Sequence, residues 1–318
     1  MIQTKNIFFA LFFFSIFCVG FNSSEQPQKL NFTTMTLSSN KKADLKLILR
    51  WYKNKNKANW TMNFIKTREK YFIRILSAFP EKKSTKAILL FSGGDGTASF
   101  DIQDIESPKK KYKYKKSVRP KNNSLSRSAH LFANEGFIAI NVDVPIPITE
   151  DTLIGNDAFG VGTDYRTSKK HLKDVQNIIK FYKMNGIKEF FLAGTSRGSY
   201  SVVYLATLIT DPSVKGFIST ASMDDIDIID LSKIQKPFLF VHHEDDECHV
   251  TTYGSATYNY QTLSSSSKHF LTVSGGNSPE GRPCGPLAEH GFIGINKKVV
   301  KNITSWMKGN KIPNRISD

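Results

Sequence analysis

Gly194-Thr195-Ser196-Arg197-Gly198 sets a serine between two glycines, and the residues on either side make that spacing a chemical question. Phe190 to Gly194 reads as a buried strand, and the run through Tyr204 to Ile209 reads as a helix. A G-x-S-x-G at a strand-to-helix joint is the pattern of a nucleophile elbow. Its small flanks let strand and helix approach, and its tight turn lifts the serine hydroxyl above the sheet edge. The N–H groups opening the helix favour negative charge beside that hydroxyl. Taken alone, the pentapeptide also fits an ordinary tight turn. A hydroxyl is a poor nucleophile, so the catalytic reading demands a histidine as base and a carboxylate to orient it.

Both occur downstream. The strand-like run "FLFVHHEDDECHV" ends in acids, and Asp246 is favoured because it stands just past the strand; Asp245 and Glu244 are the alternatives. His290 lies in "CGPLAEHGFIGINKKVV", on a loop before the last helix. The order Ser196, Asp246, His290 is the one an elbow of this type uses. A tetrahedral intermediate also needs backbone donors for its oxyanion, each worth a few kcal/mol. The N–H of Arg197 is one. The loop "FSGGDGT" supplies the other, Gly94 in preference to Asp95. The Arg197 head group is read as a structural ion-pair partner rather than a substrate contact.

The elements that must position these residues follow from apolar patterning. "LKLILRWY" and "KYFIRILSAF" alternate as strands, with "NKNKANWT" as the loop between them. "KAILLFSGGDG", residues 86–96, is an apolar run opening into glycines, as a buried parallel strand would. "SLSRSAHLFANEG" reads as a helix ended by Gly136, and "FIAINVDVP" as a strand stopped by Pro145. A long loop through Gly155, Gly160 and Gly162 precedes "SKKHLKDVQNIIKFYKMNG". There Leu172, Val175, Ile178, Ile179 and Tyr182 share one side of a helix closed by Gly186. "VKGFISTAS", "KPFLFVHHEDD" and "KHFLTVSGG" are further strands, and "NKKVVKNITSWMKG" is the final helix. Strand and helix signals alternate from residue 86 onward. The expected fold is α/β, a mainly parallel twisted sheet with helices on both faces. Only the short "MDDIDIIDLSKIQ" joins the strands at 215–222 and 237–243, which leaves no room there for a separate lid domain.

The chain of 318 residues carries a formal net charge of +16 and no evident internal repeat. Lys5 precedes "IFFALFFFSIFCVGF", residues 7–21, an apolar run too short and too poorly flanked for a membrane span. Residues 1–22 therefore read as a cleaved secretory signal peptide, with an uncleaved anchor as the alternative. A lipoprotein cysteine at Cys18 is disfavoured by the bulky Phe17 before it. Residues 23–45 form a polar lead-in, and 46–318 a single catalytic domain of ample size for one core. Export, whether secreted or periplasmic, puts Cys248 and Cys284 in an oxidising setting. A disulfide between them is expected, with two buried free thiols as the alternative.

The stretch 107–123 is a basic loop. It holds Lys109, Lys110, Lys111, Lys113, Lys115, Lys116, Arg119 and Lys121 with no acid from 109 to 121. Such a block is ordinarily a solvated loop; its functional reading is contact with an anionic surface, without a specific nucleic acid partner.

The layout resembles the α/β-hydrolase superfamily over residues 86–308. "LLFSGGDG" resembles its oxyanion loop, "AGTSRGS" its nucleophile elbow, "VHHEDDECHV" its acid turn and "EHGFIG" its histidine loop. Where the superfamily usually carries a histidine before the oxyanion glycines, this chain has Ser92. The resemblance implies mechanism better than substrate. The expected function is a secreted serine hydrolase that cleaves small carboxylic esters through an acyl-enzyme, with no cofactor. Its cleft should be open, walled by the basic loop and the loop at 146–166. A peptidase, thioesterase or amidase would use the same residues. From another class, a binding protein on a hydrolase scaffold could engage acidic surfaces through the basic loop. A metal site in "HHEDDECH", built from His242, His243, His249 and Asp246, is disfavoured because neighbouring strand residues face opposite ways.

Overall fold

The strands form where apolar and β-branched residues run uninterrupted, because a sheet covered on both faces must be apolar on both. The computed structural model describes residues 31–32, 58–98, 123–147 and 160–318. The expected signal peptide, the strand at "LKLILRWY", the basic stretch 109–121 and most of the polar lead-in lie outside the described residues. Within the lead-in, Asn31–Phe32 is a two-residue strand, β1.

Among the described residues, ten strands make one sheet in the order β1-β2-β3-β5-β4-β6-β7-β8-β9-β10. They are β2 Asn59–Arg68, β3 Tyr71–Phe79, β4 Lys86–Phe91, β5 Ile138–Pro147 and β6 Glu189–Ser196. Beyond these lie β7 Val214–Ser222, β8 Phe238–His243, β9 Lys268–Val273 and β10 Arg315–Ile316. The β2–β3 and β3–β5 pairs are antiparallel and all the others parallel. The α/β expectation holds.

Alternation along β4 shows how the two faces are filled. Ile88 and Leu90 enter one core cluster with Phe132, Val299 and Ile303; Ala87, Leu89 and Phe91 enter the other with Val175, Ile178 and Val203. The first face carries α1 Ser124–Arg127, α2 Ala129–Asn134 and α7 Asn296–Met307. The second carries α4 Lys169–Met184, which follows the single turn α3 Thr163–Arg166, and α5 Gly198–Leu208. A further helix, α6 Tyr253–Thr262, contributes Tyr260 to the second face. In α4, the Ser168 side chain caps the His171 N–H, and Gly186 closes the helix at φ 89°.

Three local expectations change. Residues 59–61, read as loop, begin β2, and the strand runs on to Arg68. Its alternation is masked because polar Asn63 and Thr67 are buried beside Trp60, Met62 and Phe64; Asn63 bonds the Tyr182 hydroxyl at 3.3 Å. Pro145 does not stop β5, which continues to Pro147. Beyond Val142 the strand has left β4 and pairs with β3 alone, and a proline is tolerated where one side needs no donor. The helix expected at 124–136 breaks at Ser128 into α1 and α2. Between β7 and β8 there are only two single 3₁₀ turns, Ile226–Ile228 and Leu231–Lys233, and no inserted domain.

Candidate active site

β6 runs to Ser196, which sits at φ 52°, in the left-handed region that an L side chain adopts only at a cost. The surrounding glycines allow it. A Cβ on Gly194 would stand 2.1 Å from the Gly198 carbonyl oxygen, and one on Gly198 would stand 2.3 Å from the Phe91 carbonyl oxygen. Gly93 lies against Ser196 itself, since a Cβ there would meet Ser196 Cβ at 2.9 Å. The two glycines of the pentapeptide and the first glycine of the loop after β4 are thus steric requirements of one turn. Ser199, buried at the start of α5, accepts the Met223 N–H at 3.1 Å and ties the elbow to the end of β7.

β8 delivers the acid. Asp246 lies in the turn after His243, and its Oδ2 stands 3.0 Å from Nδ1 of His290. Its Oδ1 accepts the Cys248 N–H at 3.0 Å, and the Thr251 hydroxyl donates to Oδ2 at 3.1 Å. Thr251 Oγ1 also lies 3.0 Å from His290 Nδ1. Because the single Thr251 proton goes to the carboxylate, the proton between His290 and Asp246 belongs to Nδ1. That leaves Nε2 of His290 with the lone pair a general base needs. Burial raises the Asp246 pKa, but hydrogen bonds from His242 and His290 outweigh it and hold the carboxyl well below its ordinary range. Asp246 is thus ionised whenever His290 could act.

The alternatives for the acid are placed elsewhere. Glu244 pairs with Arg315 at the surface, and the Asp245 side chain is 69% exposed. His290 itself is buried in the 3₁₀ turn Glu289–Gly291, ahead of Phe292 at φ 56°.

Ser196 and His290 open onto one cleft of about 490 Å³, whose walls include Gly93, Gly94, Asp95 and Arg282. No hydrogen bond among the described residues joins the two side chains; such contacts commonly tighten only around substrate. The loop after β4 turns at Gly94, with φ 58°, and closes through a Gly96 N–H to Gly93 carbonyl bond of 3.0 Å. Asp95 uses its side chain inside that turn, accepting from Thr97 N–H at 3.1 Å and from the Thr97 hydroxyl at 2.8 Å. Ser92, where a histidine was the usual expectation, is buried and bonds Ser126 Oγ at 2.9 Å. The side chain of Arg197, expected as an ion-pair partner, is exposed and forms no ion pair among the described residues.

The structure pairs Cys248 with Cys284 across a Cα–Cα distance of 4.5 Å, so the acid turn is bonded to the loop leading to His290. Both rings of the His242-His243 pair are occupied. Nδ1 of His242 accepts the Ser222 N–H at 3.3 Å, and its Nε2 faces the Thr251 carbonyl at 2.9 Å. Nδ1 of His243 accepts the Asp245 N–H at 3.1 Å, and its Nε2 faces the Gly275 carbonyl at 2.9 Å. Neither ring keeps a lone pair for an ion, and His249 stands apart from both, with Nδ1 3.8 Å from Cys284 Sγ.

Sequence reasoning did not find Thr251, His242 as an acid partner, or the two arginines that brace the loops. Arg127, on α1, bonds the carbonyls of Pro286 and Gly291 and the Asn296 side chain, anchoring the histidine loop from both sides. Burial lowers its pKa to about 10. No local pattern marks Arg127, since its partners lie more than a hundred positions away.

No protein-family model and no curated protein sequence matches the chain. Solved structures do. A dienelactone hydrolase from Anabaena variabilis superposes with a TM-score of 0.53 at 12% identity, covering 80% of this chain and 99% of the other. A predicted CIB-like hydrolase from Thermoplasma acidophilum gives 0.51 at 16% identity, covering 79% and 99%. An α/β serine hydrolase without lid from Xanthomonas campestris gives 0.51 at 11% identity, covering 80% and 97%. With the sheet order and the elbow described above, the chain has the fold of the α/β-hydrolase superfamily.

Proposed function

We propose that this chain is a serine hydrolase whose nucleophile is Ser196, whose base is His290 and whose orienting acid is Asp246. The observation that carries the reading is the meeting of three separate segments at one cleft: a serine at φ 52° on a glycine-bounded elbow, and a histidine held at Nδ1 by a buried carboxylate 3.0 Å away. In this mechanism Ser196 Oγ attacks an acyl carbon while His290 Nε2 takes its proton. The imidazolium is stabilised by Asp246, and the N–H groups of Gly94 and Arg197 receive the oxyanion. His290 then protonates the leaving group, and water, deprotonated by the same nitrogen, releases the acyl group.

Small carboxylic esters are the proposed substrates. The direct passage from β7 to β8 leaves the cleft uncapped from that side, and the similar folds include structures described as a dienelactone hydrolase and as a serine hydrolase without lid. The proposed setting is outside the cytoplasm after removal of residues 1–22, where the Cys248–Cys284 bridge would persist.

The test is a fluorophosphonate probe applied to the mature protein beside Ser196→Ala, with p-nitrophenyl ester turnover by both. Stoichiometric labelling and turnover that disappear in Ser196→Ala are expected. A well-folded wild type that takes no label would sink the assignment.

A further inference from the structure

Arg166 closes α3 and is 3% exposed. It does not line the cleft, yet it grips the turn that does. Its Nη2 donates to the Ser92 carbonyl at 3.0 Å and reaches the Gly94 carbonyl at 3.5 Å; its Nη1 donates to Ser201 Oγ on α5 at 3.2 Å. One guanidinium therefore joins the glycine turn to the helix that begins beside Ser196. The fit is close, since a Cβ on Gly96 would meet Arg166 Nη2 at 2.7 Å. The same segment presses on the turn a second time: the Val161 N–H bonds the Asp95 carbonyl at 2.7 Å.

In a trans peptide the carbonyl and the N–H point in opposite directions, and the chain has no cis peptide among the described residues. Drawing the carbonyls of Ser92 and Gly94 toward Arg166 turns the N–H groups of Gly93 and Asp95 away from it. The peptide between these two is set by the Gly96 N–H to Gly93 carbonyl bond. All three peptide planes of the turn are thus fixed, two of them by one side chain.

Arg166 also stands out electrostatically. Burial lowers its pKa to about 10, so it remains protonated at neutral pH. Among the described residues no carboxylate lies within ion-pair distance of it, and the adjacent His171 is kept neutral, lowered to about 3 by burial and by the Arg166 charge. Among the described residues its hydrogen bonds go to carbonyls and a hydroxyl, with Asp95 attracting it from beyond ion-pair distance. A buried cation so held costs stability that an apolar residue would not. It lies behind the turn that carries the proposed Gly94 donor. By fixing the peptides on either side it holds the Gly94 N–H in place, and it polarises the N–H of Asp95, the alternative donor. A carbonyl bonded to a cation makes the N–H of the same peptide a stronger donor.

We propose that Arg166 is a positioning residue for the oxyanion turn, holding and polarising the peptides at 92–95 from behind. This rests on the serine-hydrolase reading above, and the two fail separately. Absence of fluorophosphonate labelling in the wild type defeats that reading, whereas labelling in the wild type with an indifferent Arg166 variant defeats only this one.

The experiment compares wild type, Arg166→Gln, Arg166→Lys and Ser201→Ala in the full mature chain. It reads kcat, KM, the rate of fluorophosphonate labelling, the Ki of a boronic acid that forms a tetrahedral adduct on Ser196, and Tm. Removing one direct oxyanion donor costs about 10²- to 10³-fold in kcat, so the indirect effect in Arg166→Gln should be about 10- to 100-fold. KM should stay within about twofold, and the boronate Ki should rise in step with the loss of kcat. Arg166→Lys, which keeps charge and donors, should recover part of the loss. A merely structural arginine would lower Tm without this split. Unchanged kcat and Ki in a folded Arg166→Gln overturns the proposal. If that variant does not fold, unchanged kcat and Ki in both Arg166→Lys and Ser201→Ala overturn it equally.

Discussion

At the scale of single residues, the acid turn shows how close neighbours in sequence part company in space. Glu244, Asp245 and Asp246 are consecutive carboxylates, yet only Asp246 is turned inward to receive a peptide N–H, the Thr251 hydroxyl and two imidazoles. The other two face solvent or a surface arginine. Asp246→Asn should therefore lower kcat by about 10⁴-fold, because an amide cannot hold the Nδ1 proton in place. Asp245→Asn should leave kcat within about twofold. Steady-state turnover of a p-nitrophenyl ester checks both, and equal losses in the two variants would reassign the acid. The strained φ of Ser196 belongs to this scale too. Its cost is local, and the steric demand it places on Gly93, Gly194 and Gly198 explains why three glycines gather around one serine.

At the scale of elements, the loops carrying Asp246 and His290 have internal hydrogen bonds of their own and are joined to each other and to the fold by further fasteners. Arg127 grips the histidine loop from α1, and the Cys248–Cys284 bridge joins it to the acid turn. The bridge spans 36 residues; a loop of that size stabilises by about 3–4 kcal/mol on the chain-entropy model. Replacing both cysteines with serine should lower Tm accordingly. It should also reduce kcat, because Cys248 is two residues from Asp246 and Cys284 lines the cleft beside His290. Thermal unfolding followed by circular dichroism, paired with turnover, separates the two effects. Full activity in the serine pair would show that the bridge fastens the fold without aligning the histidine. β4, β6, β7 and β8 are largely buried and carry unbroken apolar runs, whereas β2 hides Asn63 behind the Tyr182 hydroxyl and so lost its pattern.

For the whole molecule, the excess positive charge is concentrated in one stretch of the sequence. The formal net charge is +16, and residues 109–121 hold eight of the basic side chains in a stretch outside the described residues. Such a block attracts anionic surfaces with a strength that salt screens. The chain should sediment with vesicles containing anionic lipid at low ionic strength and be released at about 0.5 M salt, where the Debye length falls to a few ångströms. Replacing the eight residues with serine should abolish sedimentation and leave turnover of a small soluble ester unchanged. Persistent binding by that variant would move the contact elsewhere on the molecule.

The sequence by itself determined the α/β class, the strand-elbow-helix around Ser196, and the order in which Ser196, Asp246 and His290 are met. Those features depend on hydrophobic period and on local steric limits that neighbouring residues already express. Only the tertiary structure decided which of three adjacent acids faces His290, that Thr251 and His242 complete its carboxylate, that Arg197 points to solvent, and that Arg127 and Arg166 brace the loops. The contacts of Asp246 with His290 and of Arg127 and Arg166 join segments far apart in the chain. The short-range ones of Thr251 and His242 to Asp246 depend on how their turn folds. Neither kind leaves a period or spacing for the sequence to show.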